Sequence, residues 1–276
     1  MRTLALGAML AALALGAPRV AVAQLPIFDA HIHYSRPDWD AVPPERALAI
    51  LRGAGVRRAL VSSTPDEGTL RLYEKAPAEI VPELRPYRTR DDMATWTRDP
   101  AVQAYVEERL KRGIYRGIGE FHLSVADADA PVVRRFAELA AERGIVLHAH
   151  VDAATVERML ALYPTTRILW AHAGMSADAR TVRALLDRFP TLWVELALRS
   201  DVASGGALAA DWRALFVRHA DRFMVGTDTW TTSRWDVLAD GMRATREWLG
   251  QLPADVAERI AYRNAERLFP PPAAVR

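Results

Sequence analysis

The most informative stretch of this chain is Leu25-Pro26-Ile27-Phe28-Asp29-Ala30-His31-Ile32-His33. Residues i and i+2 of a β-strand face the same side. His31 and His33 are therefore expected to project together from the end of one short strand. Neutral imidazole is the commonest metal ligand among side chains, so the pair is half of a metal site. Two unrelated surface histidines would be the alternative, and the rest of the chain argues against it.

Short apolar runs and amphipathic helical patterns alternate downstream. The runs occupy 27–31, 57–62, 80–87, 117–121, 145–149, 166–172, 192–197 and 222–227. Helical patterns cover 44–52, 67–75, 100–111, 131–143, 153–162, 177–188 and 211–220, and those at 235–249 and 254–268 close the chain. Gly53, Gly113, Gly144, Pro164 and Pro190 stand where helices should stop. This rhythm, over about 250 residues, is that of an α/β (β/α)8 TIM barrel, with an open doubly wound sheet as the alternative. Neither an interdomain linker nor an internal repeat is visible. Gly205-Gly206 falls in a long loop after the seventh strand, where a mobile lid is expected.

Residues 1–23 are expected to be a secretory signal peptide. Arg2 supplies a positive start, an Ala/Leu-rich run follows from Leu4 to Ala17, and Ala21-Val22-Ala23 precedes Gln24. That run is too short and too alanine-rich for a good membrane span. No Arg-Arg pair supports the twin-arginine route, and no cysteine is present for lipid attachment. The expected mature domain is 24–276, periplasmic or secreted. The chain carries 36 basic and 34 acidic residues. The leader holds Arg2 and Arg19 and no acid, so the mature part is formally neutral. Nothing calls for nucleic acid or an anionic membrane as partner. With no cysteine, disulfides and thiolate ligands are excluded. A metal site must then be built from His, Asp and Glu, which suits Zn, Mn, Fe or Ni.

Barrel active sites lie at the C-terminal ends of the strands. Here strand 1 ends in His31 and His33, strand 4 in Gly119-Glu120-Phe121-His122, and strand 5 in His148-Ala149-His150. Strand 6 ends in His172 and strand 8 in Gly226-Thr227-Asp228. Six of the seven histidines thus fall at strand ends, and only His219 sits on a helix. This convergence carries more weight than any single motif.

In that order the motifs resemble the amidohydrolase superfamily of metal-dependent TIM-barrel hydrolases. The branch they most resemble is the amidohydrolase-related (amidohydrolase 2) family, which also holds decarboxylases and lactonases. The residues that carry the resemblance are Phe28-Asp29-Ala30-His31-Ile32-His33, the strand 5 histidine, Ala171-His172-Ala173-Gly174, Val225-Gly226-Thr227-Asp228 and the closing Asn264-Ala265-Glu266-Arg267-Leu268-Phe269. It spans essentially the whole mature chain.

The resemblance implies a divalent metal, zinc foremost, at one or two per chain. His31 and His33 would bind the more buried ion, and Asp228 would complete the site and accept a proton from the attacking water. His148 and His150 are both candidates for the strand 5 ligand, with strand length favouring His148. His172 would be a second-metal ligand or the group that polarises the substrate. Glu120, in Ile118-Gly119-Glu120, resembles the strand 4 glutamate of the TatD-like branch; it is either a ligand in a two-metal site or a substrate-binding carboxylate. A structural hydrogen bond is expected of His122. The expected activity is hydrolysis of a small amide, ester or lactone. Non-oxidative decarboxylation, two-metal phosphoester hydrolysis and a non-enzymatic scaffold are the competing readings.

Arg88, after strand 3, is a candidate clamp for a substrate carboxylate or phosphate. Glu195 is a candidate substrate contact or an ion-pair partner of Arg199. Trp230 and Arg234 are candidate pocket walls, and Trp96 a candidate cap. The expected partner is a small molecule, with no nucleic acid and no membrane after leader cleavage; self-association is left open.

Overall fold

Eight parallel strands follow one another around a barrel in the computed structural model, which describes residues 25–270. The expected leader at 1–23 lies outside the described residues. The strands are β1 (Ile27–Ile32), β2 (Val56–Val61), β3 (Ile80–Leu84), β4 (Gly117–His122), β5 (Val146–His150), β6 (Arg167–Trp170), β7 (Leu192–Glu195) and β8 (Phe223–Met224). Helices between them include α1 (Pro44–Gly53), α2 (Glu67–Lys75), α3 (Pro100–Leu110), α4 (Pro131–Arg143), α5 (Ala153–Leu162), α6 (Ala179–Arg188) and α7 (Ala210–Arg218). Then α8 (Ser233–Leu249) and a helical run over 254–268, with a π turn at Arg259–Arg263, complete the outer layer.

The order β1 to β8 is the order of hydrogen-bonded neighbours. The ring closes between its first and last strands, where Ala30 N donates to Val225 O at 2.8 Å and Asp228 N donates to His31 O at 2.7 Å. Both closing bonds lie at the histidine end, so closure itself brings Asp228 to His31. Among the described residues no helix is long and apolar enough to cross a membrane.

Side-chain alternation is broken at two strands, and both breaks serve the centre. Phe28 and Ala30 of β1 pack with Leu60, Val81, Val146, Leu169 and Met224, whereas Ile27 and Ile32 belong to the larger apolar cluster. Strict alternation would put 27 and 32 on opposite faces. The β1–β2 register slips between Asp29 and Ile32, and this slip lets His31 and His33 turn inward. In β4 the register slips at Glu120: Gly119 lies opposite His148, and Phe121 lies opposite Ala149. The extra residue is Glu120, which is thereby aimed at the histidines. Gly119 has φ +149°, and a Cβ there would come within 2.4 Å of His148 O, so only glycine fits.

The opposite end of the barrel is filled from below. Leu268 and Phe269 pack against Phe28, with the Phe28 and Phe269 rings stacked at 6.0 Å. Buried Asn264 anchors this segment by donating from Nδ2 to Ala220 O at 2.8 Å and to Phe223 O at 2.9 Å. The expected lid after β7 is a small hairpin, Ala203–Ser204 with Ala207–Leu208, and Gly205 and Gly206 both take positive φ at its tip. Gln251 ties it down through Leu208 N and Gly206 O, and it borders a cavity beside α8 rather than the histidines.

Asn264→Ala leaves two buried carbonyls without donors. Unfolding in urea should show a loss on the order of 2–4 kcal/mol, since each unpaired buried group costs roughly 1–3 kcal/mol. An unchanged midpoint would show that the anchor contributes nothing.

Candidate metal centre

Four histidines have their Nδ1 atoms fixed by buried acceptors. His33 Nδ1 meets Ser62 O at 2.7 Å, and His172 Nδ1 meets Ala197 O at 3.1 Å. A carbonyl oxygen can only accept, so both Nδ1 atoms carry the proton. His31 Nδ1 meets Glu195 Oε1 at 3.1 Å, and His148 Nδ1 meets Glu83 Oε2 at 3.0 Å. Once Nδ1 donates, the neutral ring presents a lone pair at Nε2. All four Nε2 atoms then face inward, in a group with ring centroids 4.7 to 4.9 Å from His31.

These lone pairs need a positive charge between them. His31 Nε2 and His33 Nε2 are 3.1 Å apart, and two lone pairs at that separation repel unless a proton or a cation lies between. Nε2 of His148, Nε2 of His172 and Oδ1 of Asp228 are buried without a hydrogen-bond partner among the described residues. Donor groups of His31, His172 and Asp228, and of His31, His33 and Glu120, each converge within 4.8 Å. Orphaned imidazole nitrogens and a carboxylate oxygen, each oriented from behind, are the donor set of a divalent cation. The residues fit the ion that the sequence pattern implies.

Electrostatics lead to the same conclusion. Burial disfavours a charged His31, but Asp228, Glu195 and Glu120 outweigh it and hold the ring well above its ordinary pKa. Burial also opposes ionisation of Glu120, yet His31 and His150 keep its carboxyl well below the usual range. Glu195 is held at about 2 against burial by His172 and His31. Glu120 and Glu195, kept ionised though buried, demand positive charge beside them. His33 goes the other way, lowered by burial and by nearby Arg85.

Around this core the structure places the remaining candidates. His150 Nδ1 meets Glu120 Oε1 at 2.6 Å, and His122 stacks on His150 at 4.3 Å. Glu120, His122 and His150 form a further donor group nearer to solvent. His148 and His150 thus both face the centre, His148 fully buried and His150 on the pocket wall. The Tyr87 hydroxyl accepts from His122 N at 2.8 Å and sits 3.3 Å from its Nδ1. Every non-glycine residue with positive φ among those described lies here: His172, Ala173, Met175, Leu198 and Asp228. Backbone strain of this kind persists where surrounding structure enforces it. Arg199 enforces it after β6, donating to His172 O, Ala173 O and Ala177 O.

Several sequence expectations are corrected. Glu195 is fully buried beneath His31 and His172, accepting also from Ala197 N at 2.7 Å, so it is no substrate contact. It does not pair with Arg199, which bonds Asp201 instead. Arg234 donates to Thr227 O and Asp228 O and lines the cavity beside α8. It braces the Asp228 backbone through Nε and Nη2 and does not line the pocket at the histidines. Trp96 is no cap; it is buried against Phe121 and Phe136 and donates to His122 O at 2.8 Å. Arg88 reaches the pocket wall, but its guanidinium is held by Asp92 and Asp99. Trp230 is more than half exposed at the pocket mouth.

Three residues escape the sequence reading. Glu83 orients His148 from the strand Ile80–Leu84, where a lone acid among apolar neighbours is the available signal. Arg85 bonds Glu120 Oε2 at 2.7 Å and Glu120 O at 3.0 Å. Asp29, inside the opening motif, accepts from Thr227 Oγ1 at 2.6 Å and from His31 N at 3.1 Å, joining the first strand to the last.

Glu195→Gln keeps the shape but replaces a pure acceptor by an amide facing three N–H groups. Zinc affinity, measured by competition with a chromogenic chelator, should fall about 10–100-fold, while the unfolding transition stays cooperative. Affinity equal to the unsubstituted protein would show that Glu195 does not orient the centre.

Solved structures of similar shape are distant in sequence. An uncharacterised TIM-barrel protein of Bordetella bronchiseptica is 14% identical at a TM-score of 0.64, covering 88% of this chain and 98% of its own. A probable 2-pyrone-4,6-dicarboxylic acid hydrolase of Acinetobacter baumannii, with citric acid bound, is 12% identical at 0.62, covering 88% and 98%. An amidohydrolase of Burkholderia multivorans with bound zinc is 16% identical at 0.55, covering 90% and 100%. At such identities they establish the fold alone. Comparison with curated proteins gives no match. The family model described as amidohydrolase matches residues 28–270. The chain therefore belongs to the amidohydrolase 2 family of the amidohydrolase superfamily, a family of metal-dependent hydrolases.

Proposed function

We propose that the protein hydrolyses a small amide, ester or lactone at this centre. The observation that carries the reading is the convergence on His31 of the unpartnered Nε2 atoms of His148 and His172 and Oδ1 of Asp228, beside a cavity of about 820 Å³ that His33, Glu120 and Asp228 line. That volume suits a small molecule. A divalent ion held there would supply a nucleophile at neutral pH and polarise the scissile carbonyl. His31, His33 and Asp228 would hold it, with His148 and His172 as further nitrogen donors. Asp228 also borders the cavity, so its free oxygen is placed to take the proton of the attacking water and return it to the leaving group.

Glu120 supports a two-ion form of the same reading. It belongs both to the group of His31 and His33 and to that of His122 and His150. This is the role proposed for it by its likeness to the TatD-like strand 4 glutamate. The leader pattern at 1–23 supports a reaction outside the cytoplasm.

Elemental analysis of the purified protein, with a panel of esters, lactones and amides, tests the reading. Chelation should abolish turnover and zinc or manganese should restore it. Asp228→Asn should lower kcat about 10²–10⁴-fold, the range for loss of a positioned acid–base group. Turnover that survives chelation, or an Asp228→Asn variant at full rate, would overturn the reading. Two ions per chain would support the shared role of Glu120, and one ion would remove it.

A further inference from the structure

The mouth of the pocket carries charge that the centre does not need. Arg36, Arg85, Arg88 and Arg90 all line it, whereas the only carboxylates lining it, Glu120 and Asp228, belong to the centre. Arg85 is engaged by Glu120, and Arg88 by Asp92 and Asp99. The other two are exposed at the rim, Arg36 with its guanidinium 4.8 Å from the centroid of the Trp39 ring. Arg90 has no ion-pair partner among the described residues, and Arg36 has only exposed Asp40 at 3.8 Å. They come from different loops, after β1 and after β3, so they approach one ligand from two elements.

The same rim gathers exposed apolar side chains. Met93, Met175, Leu198 and Trp230 line it, four of the seven large hydrophobics exposed among the described residues. Scattered exposed hydrophobics need no explanation, but a concentration around one cavity marks a binding surface. Guanidinium groups recognise carboxylates through paired, charge-assisted hydrogen bonds. Apolar side chains lining the same cavity as the arginines call for an apolar body on the ligand.

We infer that the substrate is a small carboxylic acid, with its free carboxylate at Arg36 and Arg90 and an apolar, ring-sized body against Trp230 and the two methionines. The inference rests on the hydrolase reading and specifies its substrate class: an amide, ester or lactone that bears an acid distal to the scissile carbonyl.

Binding and turnover are tested separately. The zinc-loaded protein is titrated calorimetrically with 4-acetylbenzoate and with 4-nitroacetophenone, which match in shape, differ by one charge and contain no ester, lactone or amide. 4-Acetylbenzoate should bind about tenfold tighter, the lower end expected for hydrogen bonds to a charged group. In Arg36→Gln/Arg90→Gln that ratio should fall below about threefold. Equal binding to the unsubstituted protein, or a ratio preserved in the double variant, overturns the inference. For turnover, 4-acetoxybenzoate is compared with 4-acetoxybenzamide, and the acid-to-amide ratio of kcat/KM should drop in the double variant in parallel. The unfolding midpoint and zinc content of the variant confirm that it is folded and loaded. A selective binding ratio without hydrolysis of any ester would leave the acid site standing and overturn the hydrolase reading instead.

Discussion

The structure at the barrel mouth depends on where four imidazole protons go. Ser62 O, Ala197 O, Glu195 and Glu83 take the Nδ1 protons of His33, His172, His31 and His148. Each acceptor lies behind its ring, so each lone pair is turned forward. Reversing one tautomer would put an N–H into the centre and an unpaired carbonyl behind it, a double penalty in a dry interior. The buried acceptors therefore fix both the protonation and the aim of the rings before any ligand arrives.

Backbone irregularity then delivers the rings to one point. A regular β1 would send Phe28 and His31 to opposite faces, and a regular β4 would do the same to Ile118 and Phe121, which both pack in the larger apolar cluster. Register slips in both strands remove that conflict. Ring closure supplies the last donor, since the bond from Asp228 N to His31 O places strand 8 beside strand 1. Asp29 reinforces the seam from the outer side of the motif, through Thr227. Positive φ at His172 and Asp228 is borne by the ties from Arg199 and Arg234 to the neighbouring carbonyls.

Charge is layered around this point. Ionised carboxylates surround the rings at the centre, and arginines surround the carboxylates at the rim. The inner layer suits a cation and the outer layer an anion, and exposed apolar side chains share the rim with the arginines. A pocket so arranged holds a polar ligand in one orientation, since its reactive end and its charged end experience opposite fields. In the second cavity, beside α8, the two lining arginines, Arg199 and Arg234, are committed to backbone carbonyls.

The sequence by itself determined the barrel, the strand ends and the identities of the clustered histidines. Period-2 apolar runs alternating with 3.6-period helices are local patterns, and they survive in the fold to within a few residues at most ends. The helices at 131–143 and 153–162 coincide with α4 and α5. Strand 8 is the exception. The run at 222–227 keeps only Phe223–Met224 as regular strand, because Val225 O pairs with Ala30 N of β1 and Thr227 is held by the Asp29 side chain. What only the tertiary structure decided is which polar residues serve the centre from behind. Glu83 and Glu195 look in sequence like isolated acids at strand ends, yet they orient rings 65 and 164 residues away. Arg234 looks like a wall of the histidine pocket and Trp96 like its cap; Arg234 instead ties down the Thr227 and Asp228 carbonyls and borders a different cavity, and Trp96 is buried in the core. A side chain's partner is set by register and closure, which join residues far apart in the chain, and no local pattern records that pairing.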